Sequence, residues 1–340
     1  ARLFQRLVSF AIISYVFALA LLFAAMHLLG ERFWPLAVLL YLPQHLFLLP
    51  VIILLPAALL ADAPAAIYWT LAAAPIIFLL HVPYYLETGG RSAPAKLKVM
   101  TNNYAQNHGQ TLKPFIDAQD PDILVLEDSG AASVLYRRLY PARTVRQLGQ
   151  FVFIGKMALA GGKILAWPTW RGAPIAAVWQ VSWQGEPLDI YSVHLPTPRG
   201  DFAKLAGLGL IKELAGRNRR ASDHMSFAEA MTARVQLARE FAFVLAQEKR
   251  PFVAMGDFNM PSEGYVHRVI TAGVTDCFPH AGWGFGFTFP CDTHNPFTLG
   301  QPWLRLDYVL AGPGWSVEDC QVEPNRRSKH RAVVATLSRR

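Results

Sequence analysis

The first 86 residues consist of three long apolar runs separated by short polar breaks. The runs are residues 7–30, 33–60 and 65–86, and the breaks contain Glu31, Arg32 and Asp62. Each run exceeds the roughly 20 residues that an α-helix needs to cross a hydrocarbon core of ~30 Å. A cleaved signal peptide is a poorer interpretation, because the first run is too long and two more follow. The pattern predicts three transmembrane helices, with residues 1–87 as a membrane anchor.

The second apolar run has an unusual middle. Here the polar pair Gln44 and His45 lies among Pro43, Pro50 and Pro56. Polar groups at this depth in a membrane are costly and by default indicate function. The alternative, which we favour, is that the pair hydrogen-bonds carbonyl groups freed by the prolines, or a neighbouring helix.

Residues 96–340 have the pattern of a soluble α/β domain, which follows a Gly- and Pro-containing linker at 88–95. Short apolar runs, typical of buried strands, alternate with helical patterns. A capping box, Ser226 with Glu229, opens the longer predicted helix. This mixture favours a domain of packed sheets and helices. The predicted strands are 97–101, 123–126, 151–154, 163–167, 176–183, 188–195, 252–255, 304–310 and 332–337, and the predicted helices are 112–118 and 227–247.

The net positive charge belongs to the second part of the chain. The 340 residues include 32 Lys and Arg against 24 Asp and Glu, but residues 1–90 contain only three of each sign. The formal net charge of +8 therefore belongs to residues 91–340. Such a charge suits an anionic partner, namely a phosphate, a nucleic acid or an anionic membrane surface, although solubility alone would also account for it.

The three cysteines, Cys277, Cys291 and Cys320, lack the CxxC spacing of a metal site. A Cys277–Cys291 disulfide and three free thiols are both compatible with the sequence. Cysteine chemistry is therefore not expected to define the function.

Polar side chains lie at the ends of six of the apolar runs. Strand ends are rigid, and the loops that leave them can converge at one edge of a sheet. Any one of these residues alone could be an ordinary turn or surface residue. Six such ends together predict a functional site, which comprises Asn103, Glu127, His194, Asp257 with Asn259, Asp307 and His330.

The identities of these residues fit phosphoester hydrolysis. Mg²⁺ prefers carboxylate and amide oxygens and also binds substrate phosphate oxygens, so Glu127 and Asn103 are the predicted metal ligands. The reaction also needs an oriented water molecule, a role that Asp257 can fill.

The remaining predicted catalytic residues would act on the phosphoryl group. Asn259, His194 and His330 can donate to its oxygens, which become more negative during the reaction. A histidine used in this way must be oriented or kept cationic by a carboxylate, and Asp307 is the predicted partner of His330.

With these residues in view, the sequence resembles the endonuclease/exonuclease/phosphatase superfamily, which includes deoxyribonuclease I, abasic-site endonucleases, neutral sphingomyelinases and inositol-phosphate phosphatases. The resemblance covers residues 96–338 and implies a four-layer α/β/β/α sandwich that follows the three transmembrane helices. It also implies a divalent metal, usually Mg²⁺ with Mn²⁺ as an alternative, held chiefly at Glu127. The matching motifs, in the superfamily's order, are TNN at Asn103, LED at Glu127, SVHL at His194, GDFN at 256–259, GFTFP at 286–290, RLDYVL at Asp307 and SKHRAVVATL at His330.

One position departs from the superfamily pattern. The last motif is usually Ser-Asp-His, whereas this chain has Ser328, Lys329 and His330. A lysine there is expected to weaken any second metal site and could contact an anionic substrate. We expect an active enzyme with one metal, and the alternative is a catalytically weakened phosphate-binding module.

Residues 200–220 predict an amphipathic helix that follows His194 in sequence. Its apolar positions include Leu208, Ile211 and Leu214, and its basic positions include Lys212. Such a helix could lie in an anionic membrane interface, and an ordinary surface helix fits nearly as well.

The membrane anchor favours a lipid substrate, because tethering places an enzyme beside lipid headgroups. The arrangement also resembles a membrane-anchored bacterial branch that includes teicoplanin-resistance proteins, which implies hydrolysis of a polyprenyl pyrophosphate on the outer face of the membrane. We expect an integral protein of the inner or plasma membrane that hydrolyses a lipid-linked phosphate or pyrophosphate. A membrane-tethered nuclease is the alternative.

Two features of the sequence favour opposite sides of the membrane for the domain. Basic residues near the span ends favour a cytoplasmic domain, but folded domains translocate largely regardless of charge. The resemblance favours the extracytoplasmic side, which is our expectation.

Overall fold

The computed structural model describes residues 2–86, 95–104, 111–130, 132–215, 225–294, 296–324, 326 and 328–340. Almost all of the predicted linker at 88–95 lies outside the described residues. The chain divides into two compact units. The first contains residues 1–84 with 263–265, and the second contains residues 85–262 with 266–340.

The first unit is helical, and two of its helical stretches are long and apolar enough to cross a membrane. These are Arg2–Leu28 and Pro64–His81, the latter continuous through a π-helical turn at Trp69–Ala73. One face of the first helix is buried in this unit, whereas Phe10 and Phe17 on another face are about 70% exposed. A helix that is apolar on every face suits a lipid environment. The α-helices are α1 (Arg2–Leu28), α2 (Trp34–Leu40), α3 (Val51–Leu60), α4 (Pro64–Tyr68) and α5 (Ala74–His81).

The second predicted span is not a single helix but two helical pieces with a bend between them. The predicted number of three spans is reached only if these two pieces together form one span. Trp34–Leu40 and Gln44–Leu60 meet at an angle of 96°. Pro43 has no N–H group to continue the first helix. The carbonyl groups left at the break accept hydrogen bonds from Nε2 of Gln44 at 2.8–3.0 Å, and Oε1 of Gln44 accepts one from Nε2 of His81 at 3.1 Å. The favoured interpretation of Gln44, as a residue that satisfies freed carbonyls, therefore matches the structure.

The second unit contains two six-stranded sheets. The strands are β1 (Leu97–Asn103), β2 (Ile123–Glu127), β3 (Thr144–Leu148), β4 (Phe151–Gly155), β5 (Leu159–Ile164), β6 (Thr169–Trp170), β7 (Ala173–Pro174), β8 (Ala176–Trp183), β9 (Glu186–His194), β10 (Phe252–Asp257), β11 (Thr275–Asp276), β12 (Asp307–Ala311), β13 (Trp315–Val322) and β14 (Val333–Arg339). The strand orders of the two sheets are β13-β14-β1-β2-β4-β3 and β11-β12-β10-β9-β8-β5, and β6 and β7 form a separate pair.

The two sheets pack face to face, with helices on their outer faces. Buried side chains from both sheets, such as Val99 and Val253, form one continuous core. A second core joins the outer face of the first sheet to Ile116 and Tyr136 of the helices at 113–119 and 132–139. On the other side, Phe241 of the helix at 227–247 contacts Tyr191 of β9. The remaining helices are α6 (Lys113–Gln119), α7 (Ala132–Leu139), α8 (Arg199–Phe202), α9 (Gly209–Leu214), α10 (Phe227–Gln247), α11 (Tyr265–Thr271) and α12 (Cys277–Ala281).

These layers confirm the predicted α/β/β/α sandwich. The β8–β9 hairpin turns at residues 184–185 as predicted. The predicted capping box is also present: Ser226 Oγ accepts from the backbone N–H of Glu229 at 3.2 Å, and Glu229 Oε2 accepts from the backbone N–H of Ser226 at 2.8 Å. All three cysteines are free thiols.

The predicted continuous helix at 200–220 is wrong. The described part contains the four-residue α8, a short 3₁₀ turn at Ala203–Leu205 and the six-residue α9. Gly207 has a φ of +59°, a left-handed conformation that ends a right-handed helix. At Gly209 a Cβ atom would lie 1.9 Å from the carbonyl oxygen of Lys204, so the chain turns where only glycine fits. Residues 216–220 lie outside the described part.

Candidate active site

Strand register places the predicted site residues side by side. In the first sheet, Asn103 at the end of β1 pairs with Glu127 at the end of β2. In the second sheet, Asp257 at the end of β10 pairs with His194 on one side and with Asp307 on the other. Side chains at paired positions lie on the same face of a sheet. Five residues that are distant in sequence therefore form two adjacent rows.

Hydrogen bonds between side chains connect the two sheets across the sandwich. Asn103 Nδ2 donates to Asp257 Oδ2 at 2.8 Å, and Ser192 Oγ donates to Glu127 Oε1 at 3.3 Å. Glu127, Asp257 and Asn103 are all at most 4% exposed. The two sheets thus contribute to one buried polar cluster.

Glu127 has one oxygen whose hydrogen-bonding capacity is unused. Its Oε1 accepts from Thr101 Oγ1 at 2.9 Å and from Ser192. Its Oε2 is buried and has no hydrogen-bond partner within the described part of the chain. Burial, and then the charges of Asp307 and Asp257, raise the pKa of Glu127 well above its usual range, against the opposing effect of the Thr101 hydroxyl.

His330 is paired with Asp307 at the other end of the site. Its Nδ1 lies 3.0 Å from Asp307 Oδ2, and its ring packs against Phe289 at a centroid distance of 4.6 Å. Burial alone would lower the pKa of His330, but Asp307 and Asp257 outweigh this effect and raise it to about 9. The two carboxyl groups therefore favour the protonated form of the His330 imidazole at neutral pH.

His194 has a different partner, which the sequence analysis missed. Its Nδ1 lies 2.7 Å from Oε1 of Gln150, a neutral amide in the two-residue turn between β3 and β4. The backbone carbonyl of Gln150 accepts from both the N–H and the hydroxyl of Ser129, at 3.1 and 2.7 Å. Ser129 follows β2 and Glu127, so the turn is attached to the loop that leaves the predicted metal ligand.

Asn259 donates hydrogen bonds to Asp257 in the structure. Its backbone N–H donates to Asp257 Oδ1 at 2.9 Å, and its Nδ2 donates to Asp257 Oδ2 at 3.0 Å and to the Leu195 carbonyl at 2.9 Å. Asn259 has a φ of +47°, a conformation that asparagine tolerates better than most residues. Arg234 of α10 fixes this loop by donating to the Asn259 carbonyl at 2.7 Å.

The donor set fits a divalent cation. Glu127, Asp257 and Asp307 are three carboxylates of at most 1% exposure, and His330 supplies one positive charge against them. The raised pKa of Glu127 reflects an ionised form that lacks compensation in the metal-free site, and its Oε2 has no partner within the described residues, so both observations favour a bound cation. Oxygen ligands of this kind match Mg²⁺. Carboxylate oxygens of Asp257 and Asp307 also lie within 4.8 Å of each other, close enough to face one ion.

The chain is similar to several solved structures. A protein of the endonuclease/exonuclease/phosphatase family from Bacteroides thetaiotaomicron has 13% identity and a TM-score of 0.51, with 72% of this chain and 98% of that chain covered. Humanized D. rerio TDP2 has 17% identity and a TM-score of 0.50, with 72% and 99% covered. Sphingomyelinase C from Streptomyces griseocarneus has 15% identity and a TM-score of 0.47, with 71% and 99% covered. No curated protein sequence matches the chain.

The family model described as Endonuclease/Exonuclease/phosphatase family matches residues 102–330, more than half of the chain. The match begins beside Asn103 and ends at His330, so it encloses every predicted site residue. The chain therefore belongs to the endonuclease/exonuclease/phosphatase family and is a phosphoester hydrolase.

Proposed function

We propose that this chain is a membrane-anchored, Mg²⁺-dependent enzyme that cleaves a phosphoester or pyrophosphate bond in the headgroup of a membrane lipid. The observation that carries the proposal is the unpartnered Oε2 of Glu127 among three buried carboxylates. A bound cation would compensate this charge, and a phosphate group would then be attracted to the same point.

Glu127 and the amide oxygen of Asn103 would hold the metal, with Mn²⁺ as an alternative to Mg²⁺. Asn103 can offer only its oxygen, since its amide nitrogen donates to Asp257. When bound, the metal supplies positive charge that polarises a phosphoryl oxygen and balances the charge that develops during the reaction.

Asp257 is the proposed residue that orients and deprotonates the attacking water. Amide nitrogens of Asn103 and Asn259 both donate to its Oδ2, which fixes the plane of the carboxylate. Asn259 is therefore proposed to position Asp257, in place of the direct phosphoryl contact expected from the sequence.

The two histidines flank Asp257 and are proposed to act on the phosphoryl group. Nε2 of His194 and Nε2 of His330 each lie 3.8 Å from Asp257 Oδ2. The cationic His330, held by Asp307, donates from Nε2 to a phosphoryl oxygen. Gln150 Oε1 accepts from Nδ1–H of His194 and orients the ring, and when both ring nitrogens carry protons Nε2–H donates to a phosphoryl oxygen.

A lipid substrate is supported by the helices of the first unit, which are long and apolar enough to span a bilayer. Tethering raises the effective concentration of an enzyme beside lipid headgroups and gives no comparable gain on a soluble substrate. We further propose an extracytoplasmic domain at the inner or plasma membrane, in line with the branch that the sequence resembles. Digestion of the domain by protease only after cell permeabilisation would rule this placement out.

The substrate assay uses the purified full chain in lipid nanodiscs with Mg²⁺. Polyprenyl pyrophosphate, a lipid phosphate and DNA are offered in parallel to the wild type and to His330→Ala. We expect phosphate release from a lipid and loss of that activity in the variant. Activity on DNA alone would instead establish a membrane-tethered nuclease. Cation binding without hydrolysis of any substrate would establish a phosphate-binding module.

A further inference from the structure

Residues 208–214 present apolar side chains to the outside and an acidic side chain to the inside. Leu208, Leu210, Ile211 and Leu214 are 67%, 43%, 62% and 66% exposed, whereas Glu213 is only 7% exposed. This is the reverse of an ordinary soluble surface, where carboxylates face water and leucines face the core. Clustered exposed apolar side chains of this kind mark an interaction surface.

Specific contacts fix this inverted arrangement. Oε1 of Glu213 accepts a hydrogen bond from the backbone N–H of Ala228 at 2.8 Å, in the first turn of α10. The first N–H groups of a helix lack partners within the helix, and they carry its positive end, so a carboxylate is stabilised there. The ring of Phe202 packs against Phe227, also in this turn, at a centroid distance of 5.0 Å. With Glu213 and Phe202 turned inward, the leucines and Ile211 are left outside.

The segment 195–214, which ends in these exposed residues, begins at the catalytic centre. Leu195 directly follows His194 and donates its backbone N–H to the carbonyl of Asp257 at 2.9 Å. The carbonyl of Leu195 accepts from Asn259, and that of Pro196 accepts from Arg234. A surface bound at 208–214 is thus connected to the loops that hold the catalytic carboxylate.

The exposed charges of the segment are positive. Arg199 and Lys212 are exposed, whereas both acidic residues of the segment, Asp201 and Glu213, are buried. Apolar side chains bordered by basic ones match the interface of an anionic bilayer, where chains enter the acyl boundary and cations meet lipid phosphates. The helices of the first unit are long and apolar enough to cross a bilayer, so a membrane is the expected partner of this surface.

We infer that the exposed face of residues 208–214 inserts into the headgroup region of an anionic membrane and presents the lipid headgroup to the catalytic centre. The choice of substrate rests on the proposed function, whereas membrane insertion can be tested without any hydrolysis.

Photocrosslinking tests the insertion directly. The full chain, one copy per nanodisc, carries a benzophenone amino acid in place of Ile211, and the discs contain phosphatidylglycerol. We expect lipid adducts at this position, fewer adducts in discs of phosphatidylcholine alone, and fewer in the Lys212→Glu background. The matched control carries the probe in place of Val134, a half-exposed apolar residue of α7. Absence of lipid adducts at 211, or equal labelling at 134, would overturn the inference.

Kinetic measurements test whether membrane insertion assists hydrolysis of a lipid substrate. The combined variant Leu208→Ser, Ile211→Ser and Leu214→Ser is expected to lower kcat/KM on a lipid phosphate in anionic discs by about tenfold or more. Hydrolysis of the water-soluble bis-p-nitrophenyl phosphate is expected to remain unchanged. Equal losses on both substrates, or no loss on either, would contradict docking. If the wild type hydrolyses neither, the proposed function fails, and the crosslinking result still decides the insertion.

Discussion

The side chains of His194 and Gln150 meet at 2.7 Å, with Nδ1 of the imidazole facing Oε1 of the amide. The other histidine of the site, His330, faces the carboxylate of Asp307 through its equivalent atom. A carboxylate stabilises an imidazolium, whereas a neutral amide only orients the ring and selects a tautomer. The two histidines on either side of Asp257 are therefore supported in different ways.

Replacement of Gln150 by leucine should leave His194 in place without an oriented ring. We expect kcat to fall by roughly 10–100-fold with a smaller change in KM, a range typical of residues that orient a catalytic ligand. Gln150→Glu retains an oxygen acceptor for Nδ1–H and should preserve more of kcat. ¹⁵N NMR of the wild type should find the proton of neutral His194 on Nδ1.

Gln147→Leu is the matched control for this prediction. Gln147 lies in the same hairpin and donates to the carbonyls of Gly130 and Gly149, but it does not contact His194. Comparable losses in the Gln147 and Gln150 variants would show that the hairpin, and not the amide beside His194, is responsible. A proton on Nε2 of neutral His194 would reverse the assigned amide orientation.

The strand-end residues could be predicted from the sequence because the apolar runs before them are unambiguous. Gln150 could not, since it is a neutral residue in a turn and the adjoining strand β3, Thr144–Leu148, is only partly buried. Thr101 and Ser192, which hold Glu127, lie inside the strands and offer no signal beyond their polarity. Their roles depend on register across the sandwich, which a single sequence does not reveal.

The two helices that were predicted too long share one cause. The run at 33–60 was predicted from its apolar length and that at 200–220 from apolar positions at helical spacing, but each contains residues that end a helix. Pro43 breaks the former, and Gly207, with its positive φ, breaks the latter. Neither apolar length nor periodicity reports these breaks in the backbone.

Asp307→Asn should change the pH dependence of hydrolysis. The pKa of His330 is raised to about 9, so the imidazolium is present at neutral pH and is lost as the pH rises through that value. Removing the Asp307 charge should lower this pKa by about one unit or more. The alkaline limb of kcat/KM should then move to lower pH, accompanied by a lower maximal rate. An unchanged limb would show that His330 does not act as the cation.

Glu127→Gln should abolish metal binding without lowering the stability of the metal-free protein. Because the folded-state pKa of Glu127 is raised, ionisation of this buried carboxyl opposes folding, and the stability of the metal-free protein falls as the pH rises above the ordinary value for glutamate. Glutamine mimics the protonated form, so the metal-free variant should unfold at an equal or higher temperature than the wild type at pH 8.

With added Mg²⁺, the wild type should unfold at a higher temperature than Glu127→Gln. A ligand that binds only the folded state raises its stability, so Mg²⁺ should shift the thermal transition of the wild type upward and leave Glu127→Gln unchanged. Intrinsic tryptophan fluorescence in EDTA and in Mg²⁺ measures both shifts. A variant that is stabilised by Mg²⁺ as strongly as the wild type would place the cation elsewhere.

If the buried carboxylates at the strand ends form a divalent-metal centre that hydrolyses a lipid-linked phosphate, catalysis must depend on both Mg²⁺ and Glu127. Phosphate release from a lipid pyrophosphate is measured with the full chain in nanodiscs while Mg²⁺ is titrated from a chelated start, with Glu127→Gln in parallel. We expect release that saturates with Mg²⁺ in the wild type and falls to background in the variant. Release that persists in the chelator, or that survives in Glu127→Gln, would contradict it.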